Sequence, residues 1–201
     1  MSFTSKITIA ILAAGASKRM GSPKQLLKWE NTTLLKHTIK TCKDTVEEDI
    51  VVILGANYAA ISSDIKTEAV HIIENENWDL GLGKSIACAA QYCLDSKVNS
   101  DGLLIVLADQ PFVTTVYLDS MINLFDSNFE AIVATAYNPH KNGVPALFHK
   151  NYFKELSELS GDDGAKSLLK KYKQSVKAIY PDFENLDIDT KEDYQHELKR
   201  S

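Results

Sequence analysis

Small and then basic side chains follow the first apolar segment of the chain. Ile7–Leu12 is apolar and partly β-branched, which is typical of a strand buried on both faces. Over residues 13–17 no side chain is larger than a hydroxymethyl group, so another molecule can approach the backbone closely, and Gly15 can take a positive φ. Arg19 and Lys24 come next. Exposed amides followed by these cations predict a site for a polyanion such as a nucleoside triphosphate.

This loop differs from two common phosphate-binding motifs. The dinucleotide-binding fingerprint requires G-x-G-x-x-G, whereas only Gly15 and Gly21 occur here. The Walker A motif requires G-x-x-x-x-G-K-[ST], but these two glycines are one residue too far apart, and Ser22 and Pro23 precede Lys24. A structural turn beside a solvated basic patch is the alternative interpretation, which the clustered cations argue against.

Carboxylates follow at two later points of the chain. Residues 102–108 form the most apolar predicted strand, and Asp109 comes directly after it. Ligands of open α/β sheets bind beyond the carboxyl ends of the strands, so Asp109 is well placed to hold a metal ion; a turn-starting Asp before Pro111 is the alternative. Asp187 and Asp189 alternate with apolar residues, so both carboxylates would point the same way on an extended segment.

Alternating apolar segments predict the elements that position these residues. The predicted strands are 7–12, 50–54, 70–73, 102–108, 132–136 and 176–180. The predicted helices are one starting at 32–35, then 59–67, 85–94, 116–125, 152–159, 165–172 and a last one after Thr190. Strands that alternate with helices at this spacing indicate right-handed parallel βαβ units.

Three of the helix starts carry more detailed expectations. Thr32 or Thr33 is expected to cap the first helix, and Asp162 or Asp163 the helix at 165–172. Ser85 is expected to begin its helix and to offer a hydroxyl group and free amides to a ligand, although an ordinary capped turn is the alternative.

Composition bounds the class of protein. The 201 residues are 44% hydrophobic, which fits one compact domain over residues 1–201. A net charge of -5 argues against a general binder of nucleic acid or of anionic membranes. The first residues lack the pattern of a signal peptide, and Cys42, Cys88 and Cys93 form no C-x-x-C pair. Buried free thiols in a cytoplasmic protein are therefore expected.

Beyond these physical arguments, the segment LAAGASKRMGSPKQLL resembles a known signature. It is similar, nearly residue for residue, to the N-terminal pattern L-A-A-G-x-S-x-R-M-G-x-P-K of nucleotidyltransferases related to the molybdenum-cofactor cytidylyltransferases and guanylyltransferases. The resemblance implies an α/β, single-domain, three-layer Rossmann-like nucleotidyltransferase fold of the nucleotide-diphospho-sugar transferase type, with a mostly parallel mixed sheet.

The resemblance also implies roles for particular residues. LADQP and D-I-D-T-x-E-D match further family signatures, in which Asp109 and Asp189 bind Mg²⁺ and Asp187 is the second candidate for the latter position. Arg19, Lys24 and Asp109 are implied to be catalytic. The implied nucleotide-binding residues are Leu12, Ala13, Ala14, Gly15, Ser17, Arg19, Lys24, Gly83, Ser85 and Asp109.

The implied acceptor site is less complete. Family members specific for molybdopterin have R-G-H-P where this chain has N-G-V-P, so Gly143 and Pro145 match while the Arg and the His are missing. His140 and Lys141 lie nearby in the sequence, and Lys166 replaces an Arg of the family pattern G-D-x-G-A-R. The implied acceptor-binding residues are Gln110, Gly143, Pro145 and Asp187.

The implied reaction transfers CMP from CTP to the molybdopterin cofactor with release of pyrophosphate, and a molybdoenzyme is a possible partner. CTP is favoured over GTP because the loop contains LAAG rather than LAGG. One alternative is a sugar or alditol phosphate acceptor. Another is a non-catalytic accessory protein that binds a nucleotide or cofactor and serves a molybdoenzyme.

Overall fold

The computed structural model describes residues 5–47, 49–95, 99–126, 130–184 and 187–198. In these ranges the strands are β1 Ile7–Leu12, β2 Lys28–Trp29, β3 Thr32–Thr33, β4 Asp49–Leu54, β5 His71–Glu74, β6 Gly102–Leu107, β7 Ile132–Asn138, β8 Lys141–His149 and β9 Val176–Ile179. The α-helices are α1 Leu34–Lys43, α2 Tyr58–Ile65, α3 Leu82–Asp95, α4 Thr115–Leu124, α5 Phe153–Ser157, α6 Lys166–Lys171 and α7 Lys191–Glu197. Short 3-10 helices cover Lys24–Leu26, Trp78–Leu80, Lys150–Tyr152 and Lys173–Ser175.

Seven of the strands form one mixed sheet in the order β5-β4-β1-β6-β8-β7-β9. β1 pairs in parallel with β4 on one side and with β6 on the other. β8 is antiparallel to both of its neighbours, whereas β7 and β9 are parallel. The mostly parallel mixed sheet predicted from the sequence is therefore confirmed.

The three layers follow from the alternation of side chains along the buried strands. In β1 every residue is buried. Ile9 and Ile11 belong to the core that packs against α1, α2 and α4, while Ala10 and Leu12 belong to the core that packs against α3, α5 and α6. Because successive side chains of a strand point to opposite faces, an uninterrupted apolar strand requires a helical layer on each side.

A third, smaller core joins the loop after β1 to the segment before α7. Met20, Trp29, Leu34 and Ile188 are all buried in it. The backbone amide of Ile188 also donates to the carbonyl oxygen of Asp109 at 2.9 Å. This core therefore fixes the segment before α7 beside the end of β6.

Several expected helix starts are wrong in detail. Thr32–Thr33 pairs as a strand with β2. Thr33 is the N-cap residue of α1 as expected, but its hydroxyl donates to Asp64 at 2.9 Å and makes no capping hydrogen bond. α6 has Ala165 at its N-cap with no side-chain cap, so neither Asp162 nor Asp163 caps it. The predicted helix at 152–159 is a 3-10 turn followed by the short α5. In each case a tertiary contact or a tighter turn replaces the local pattern.

The cysteines are free thiols, and Cys42 and Cys93 are buried as expected, whereas Cys88 is only partly buried. Burial raises the pKa of both thiols to about 12, so neither is a reactive thiolate at neutral pH. Among the described helices, none combines the length and apolarity needed to cross a membrane.

Candidate active site

The largest concentration of predicted site residues lies where the strand order reverses. The chain runs from β1 outward to β4 and β5, and then returns to β6 on the other side of β1. In open α/β sheets this is the position at which ligands bind. A cavity of about 530 Å³ lies here, and its walls include Leu12, Ala13, Ala14, Gly15, Ser17, Arg19, Lys24, Ser85 and Asp109.

The loop after β1 is held open by a buried glutamine. The Nε2 atom of Gln25 donates to the carbonyl oxygens of Ala13 at 2.8 Å and of Gly15 at 3.0 Å. In the part of the chain that the structure describes, the backbone amides of residues 15–17 donate no hydrogen bond. Since the carbonyl groups are engaged and these amides are not, the loop offers donors to an anion.

Gly15 leaves open space beside the backbone of this loop, and its backbone conformation is not one that requires glycine. The positive φ angles are at Ser17 (53°) and Gly21 (70°), so Gly15 does not use the positive φ that a glycine permits. The Ser17 hydroxyl accepts a hydrogen bond from the Lys24 amide at 3.0 Å, which stabilises its left-handed conformation. A Cβ added to Gly15 would meet no atom within 4 Å, so the space beside this backbone is open.

Lys24 joins the two acidic segments. Its ammonium group donates to Asp109 Oδ2, to Asp189 Oδ1 at 3.0 Å and to the Ile188 carbonyl at 3.3 Å. Arg19 donates to Asp189 Oδ2 at 2.8 Å. The structure thus brings together the four residues for which the sequence predicts catalytic or metal-binding roles, although they span 170 positions of the chain.

The pKa values in this cluster depend on the balance between burial and neighbouring charge. Burial disfavours the charged form of Lys24, but Asp109 and Asp189 outweigh it and raise the pKa of the ammonium group. Burial acts against the Asp189 carboxylate as well, yet Lys24 and Arg19 lower its pKa. Burial and the nearby Asp109 charge raise the pKa of Asp187. Lys24 is therefore a cation and Asp189 an anion at neutral pH.

The cluster also provides oxygen atoms for a hard cation. Asp109 Oδ1 and Gln110 Oε1 are buried and have no hydrogen-bond partner among the described residues. A carboxylate oxygen left without a donor suits Mg²⁺, which prefers oxygen ligands and completes its shell with water and phosphate oxygens. Within the described ranges no set of three or more His, Cys, Asp or Glu residues is arranged to hold a metal by itself. The residues therefore fit a cation that is shared with a bound phosphate.

Two predicted nucleotide-binding residues, Gly83 and Ser85, lie in the first turn of α3, which begins earlier than expected. α3 begins at Leu82, and the Ser85 hydroxyl is buried and accepts a hydrogen bond from Asn75 at 3.2 Å. The expectation that Ser85 begins the helix with free amides is wrong, although its side chain does line the cavity. Gly83 packs against the backbone of Ser160, where an added Cβ would come within 2.7 Å of the carbonyl carbon.

The predicted acceptor residues lie partly in a second cavity, of about 190 Å³. Gly143 and Asp187 line it, and Asp187 Oδ1 accepts a hydrogen bond from Gln110 Nε2 at 2.8 Å. Pro145 follows a cis peptide bond in β8, and its carbonyl oxygen accepts from Thr135 at 2.7 Å. Tyr137, to which no sequence motif points, accepts a hydrogen bond from Gln110 Nε2 at 3.1 Å.

Sequence reasoning also misses part of the cavity wall. Gln25, Trp78, Asp79 and Asp162 all line the cavity. The signal for Gln25 is its position beside Lys24, and the signal for Trp78 and Asp79 is their position just before Gly81. Asp162 belongs to the segment that resembles the family pattern G-D-x-G-A-R, but its place at this cavity follows from the packing of its loop against Gly81.

The fold and this cluster define a protein of the α/β nucleotidyltransferase class. The chain belongs to the MobA-like NTP transferase domain family, whose sequence profile matches residues 9–176. The family resemblance found in the sequence is therefore confirmed.

Relatives of the chain carry different names. Nicotine blue oxidoreductase of Paenarthrobacter nicotinovorans is 34% identical over 55% of this chain and 53% of its own, so the chain spans about half the length of that relative. Purine catabolism protein PucB of Bacillus subtilis is 28% identical over 91% of both chains. A probable molybdenum cofactor guanylyltransferase of Bacillus mycoides is 25% identical over 77% of this chain and 74% of its own.

Solved structures share the whole fold. Rv0371c from Mycobacterium tuberculosis H37Rv is 27% identical and superposes with a TM-score of 0.82 over 98% of this chain and 99% of its own. A structure of the same protein in complex with manganese has a TM-score of 0.78 over 98% of this chain and all of its own. A nucleotidyl transferase from Methanothermobacter, 18% identical, has a TM-score of 0.82 over 98% of this chain and 99% of its own, which supports the fold.

Proposed function

We propose that the protein transfers a nucleotidyl group from a nucleoside triphosphate to a phosphorylated acceptor and releases pyrophosphate. The observation that carries the proposal is the convergence of Arg19, Lys24, Asp109 and Asp189 at the mouth of a cavity lined by the loop after β1. Family membership supports the same class of reaction.

In the proposed reaction, an acceptor phosphate oxygen attacks the α-phosphorus of the nucleotide. A new oxygen–phosphorus bond forms, and the bond from the α-phosphorus to the bridging oxygen breaks, so pyrophosphate leaves with the electron pair. An acceptor phosphate is already ionised at neutral pH, and no strong general base is required. Alignment and neutralisation of the charge on the leaving group must then supply most of the rate.

Each part of the site has a role in this scheme. The amides of residues 15–17 and the cations Arg19 and Lys24 would bind the β- and γ-phosphates. Asp109 and Asp189 would hold Mg²⁺, with Asp187 as a further candidate. When bound, such an ion neutralises phosphate charge as a Lewis acid. The Rv0371c structure in complex with manganese is consistent with a divalent ion in this fold.

For the donor and acceptor we propose CTP and the molybdopterin cofactor. The N-terminal signature and the guanylyltransferase relative support a molybdenum-cofactor acceptor. The preference for CTP rests on the LAAG sequence of the loop alone. A sugar or alditol phosphate is the second candidate acceptor, favoured by N-G-V-P where molybdopterin-specific relatives have R-G-H-P.

Pyrophosphate release from each of the four triphosphates, with Mg²⁺ and with molybdopterin or sugar phosphates, tests the proposal. We expect Asp109→Asn to lower kcat about 10²- to 10³-fold, because the variant would lose an anionic ligand of the Mg²⁺ that neutralises charge on the reacting phosphates. Asp44→Asn, at the exposed end of α1, is the matched control and should retain the wild-type rate. A near-normal rate for Asp109→Asn would contradict the proposed role of Asp109. If no combination of triphosphate and acceptor releases pyrophosphate, the protein is better explained as a non-catalytic accessory protein.

A further inference from the structure

A further cavity lined by cations adjoins the small acceptor cavity. We call it the lysine cleft, and it is lined by His140, Lys141, Lys166, Lys170 and Lys173. It has a volume of about 430 Å³ and lies between the β7–β8 turn and α6. The four lysines are exposed. The cleft therefore gathers positive charge on a chain whose net charge is -5.

The lysines of the cleft have no acidic partners in the described part of the chain. None of the four ammonium groups has a carboxylate oxygen within 4.0 Å there, and Lys141 lies 5.3 Å from the ring centre of Tyr137. The adjacent Lys171, by contrast, pairs with Glu155 at 2.6 Å. Among the described residues, α6 therefore has one lysine in an ion pair, whereas the lysines that line the cleft keep their charge unneutralised.

The spacing of these lysines concentrates positive charge on one side of α6. Lys166 and Lys170 are four residues apart, so they share a helix face, and Lys173 follows three residues later. Like charges at this spacing destabilise a helix. A bound anion would remove the repulsion, and an ammonium group on a flexible stem can adapt to phosphate oxygens in many geometries.

Shared wall residues make the cleft a neighbour of the candidate active site. The 190 Å³ acceptor cavity shares Lys141 and Lys166 with the lysine cleft. It shares Leu82 and Leu107 with the 530 Å³ nucleotide cavity. Asp187 lines the same acceptor cavity. A molecule that lies in the acceptor cavity would therefore border the nucleotide cavity on one wall and the lysines on another.

We infer that the lysine cleft binds a second anionic group of the acceptor, remote from the phosphate oxygen that attacks the nucleotide. The inference rests on the proposed transferase function, because it treats the bound anion as part of the acceptor substrate. It specifies the substrate class as a small molecule with at least two anionic groups.

A site-resolved titration tests anion binding without turnover. Inorganic tripolyphosphate is added to the ¹⁵N-labelled protein, and amide shifts are followed by NMR. We expect two groups of shifts, one over residues 13–19 and one over 138–142 and 166–173. Lys166→Gln/Lys170→Gln should weaken binding at the second group about tenfold or more and leave the first group unchanged. The control Lys6→Gln/Lys66→Gln removes the same charge from exposed lysines elsewhere and should change neither.

Kinetics then test the link to the acceptor. In the pyrophosphate assay the lysine double variant should raise the acceptor KM about tenfold and keep the nucleotide KM within about twofold. Absence of turnover in the wild type would overturn the proposed function, whereas the titration still decides whether the cleft binds an anion. Absence of the second group of shifts, or an unchanged affinity or acceptor KM in the double variant, would overturn the inference. Preferential binding of a single-stranded oligonucleotide at the cleft would overturn it in favour of a nucleic acid.

Discussion

At the scale of single residues, the candidate site depends on which polar groups are already bonded and which are free. Gln25 occupies the carbonyl oxygens of Ala13 and Gly15, and Lys24 occupies one oxygen each of Asp109 and Asp189. What remains for a ligand is a run of amides and the second oxygen of Asp109, which has no partner among the described residues. Such groups gain most from binding an anion and its cation, because they carry the largest cost when left unpaired.

Gly15→Ala tests whether this loop approaches a ligand closely. An added Cβ at Gly15 meets no protein atom within 4 Å, and the residue has no positive φ, so the free energy of unfolding should stay the same or rise by up to about 1 kcal/mol. The same methyl group would occupy the space of a phosphate, and the KM for the triphosphate should rise about tenfold or more. Urea unfolding and the pyrophosphate assay measure the two quantities. An unchanged KM would show that the nucleotide does not approach this backbone.

The grouping of these residues could be predicted from the sequence, but their bonds could not. The apolar segments before Gly15 and before Asp109 predict two buried strands, and parallel strands bring their carboxyl ends to one edge. The contact of Lys24 with Asp189 depends on the burial of Ile188 beside Met20 and Trp29, which no local spacing indicates.

At the scale of elements, one wall of the nucleotide cavity depends on the packing of α3 against a distant loop. The amide of Gly83 donates to the carbonyl of Gly161 at 2.8 Å, and the Gly161 amide donates to the carbonyl of Leu80 at 2.8 Å. Gly81 has a φ of 95° and also lies against this loop. The sequence predicts α3 but begins it too late, because glycines in a first turn resemble a loop when their packing partner is unknown.

Gly83→Ala should therefore act on stability, in contrast to Gly15→Ala. Its Cβ would lie 2.7 Å from the carbonyl carbon of Ser160, which is backbone and cannot rotate away. We expect the free energy of unfolding to fall by about 1–3 kcal/mol, as for overpacked interiors. Urea unfolding measures this effect, with Gly15→Ala as the matched glycine control. If Gly83→Ala is as stable as the wild type, α3 and the loop do not pack as closely as described.

At the scale of the whole molecule, charge is distributed unevenly. The chain is acidic overall, yet cations gather at the loop after β1 and in the lysine cleft. At the amino end of the sheet, by contrast, carboxylates crowd together. Burial raises the pKa of Glu47, the amide of Ile7 opposes this shift, and Asp119 and Asp49 add to it. The ionised form of Glu47 therefore reduces stability at neutral pH.

Glu47→Gln tests this crowding through the pH dependence of stability. A carboxyl group whose pKa is raised by folding favours the native state below its unfolded pKa of about 4.3, and this advantage is lost as pH rises through the folded value. Glutamine keeps an oxygen for the Ile7 amide, 3.2 Å away in the native protein, and imitates the protonated form. The Tm of the variant should thus exceed that of the wild type by on the order of 1–3 °C at pH 7, and the difference should shrink toward zero below about pH 4. Glu76→Gln removes the same charge from an exposed loop and serves as the control in thermal unfolding followed by circular dichroism. A Tm difference that is independent of pH, or equal in the control, would mean that the local repulsion around Glu47 is not what limits stability there.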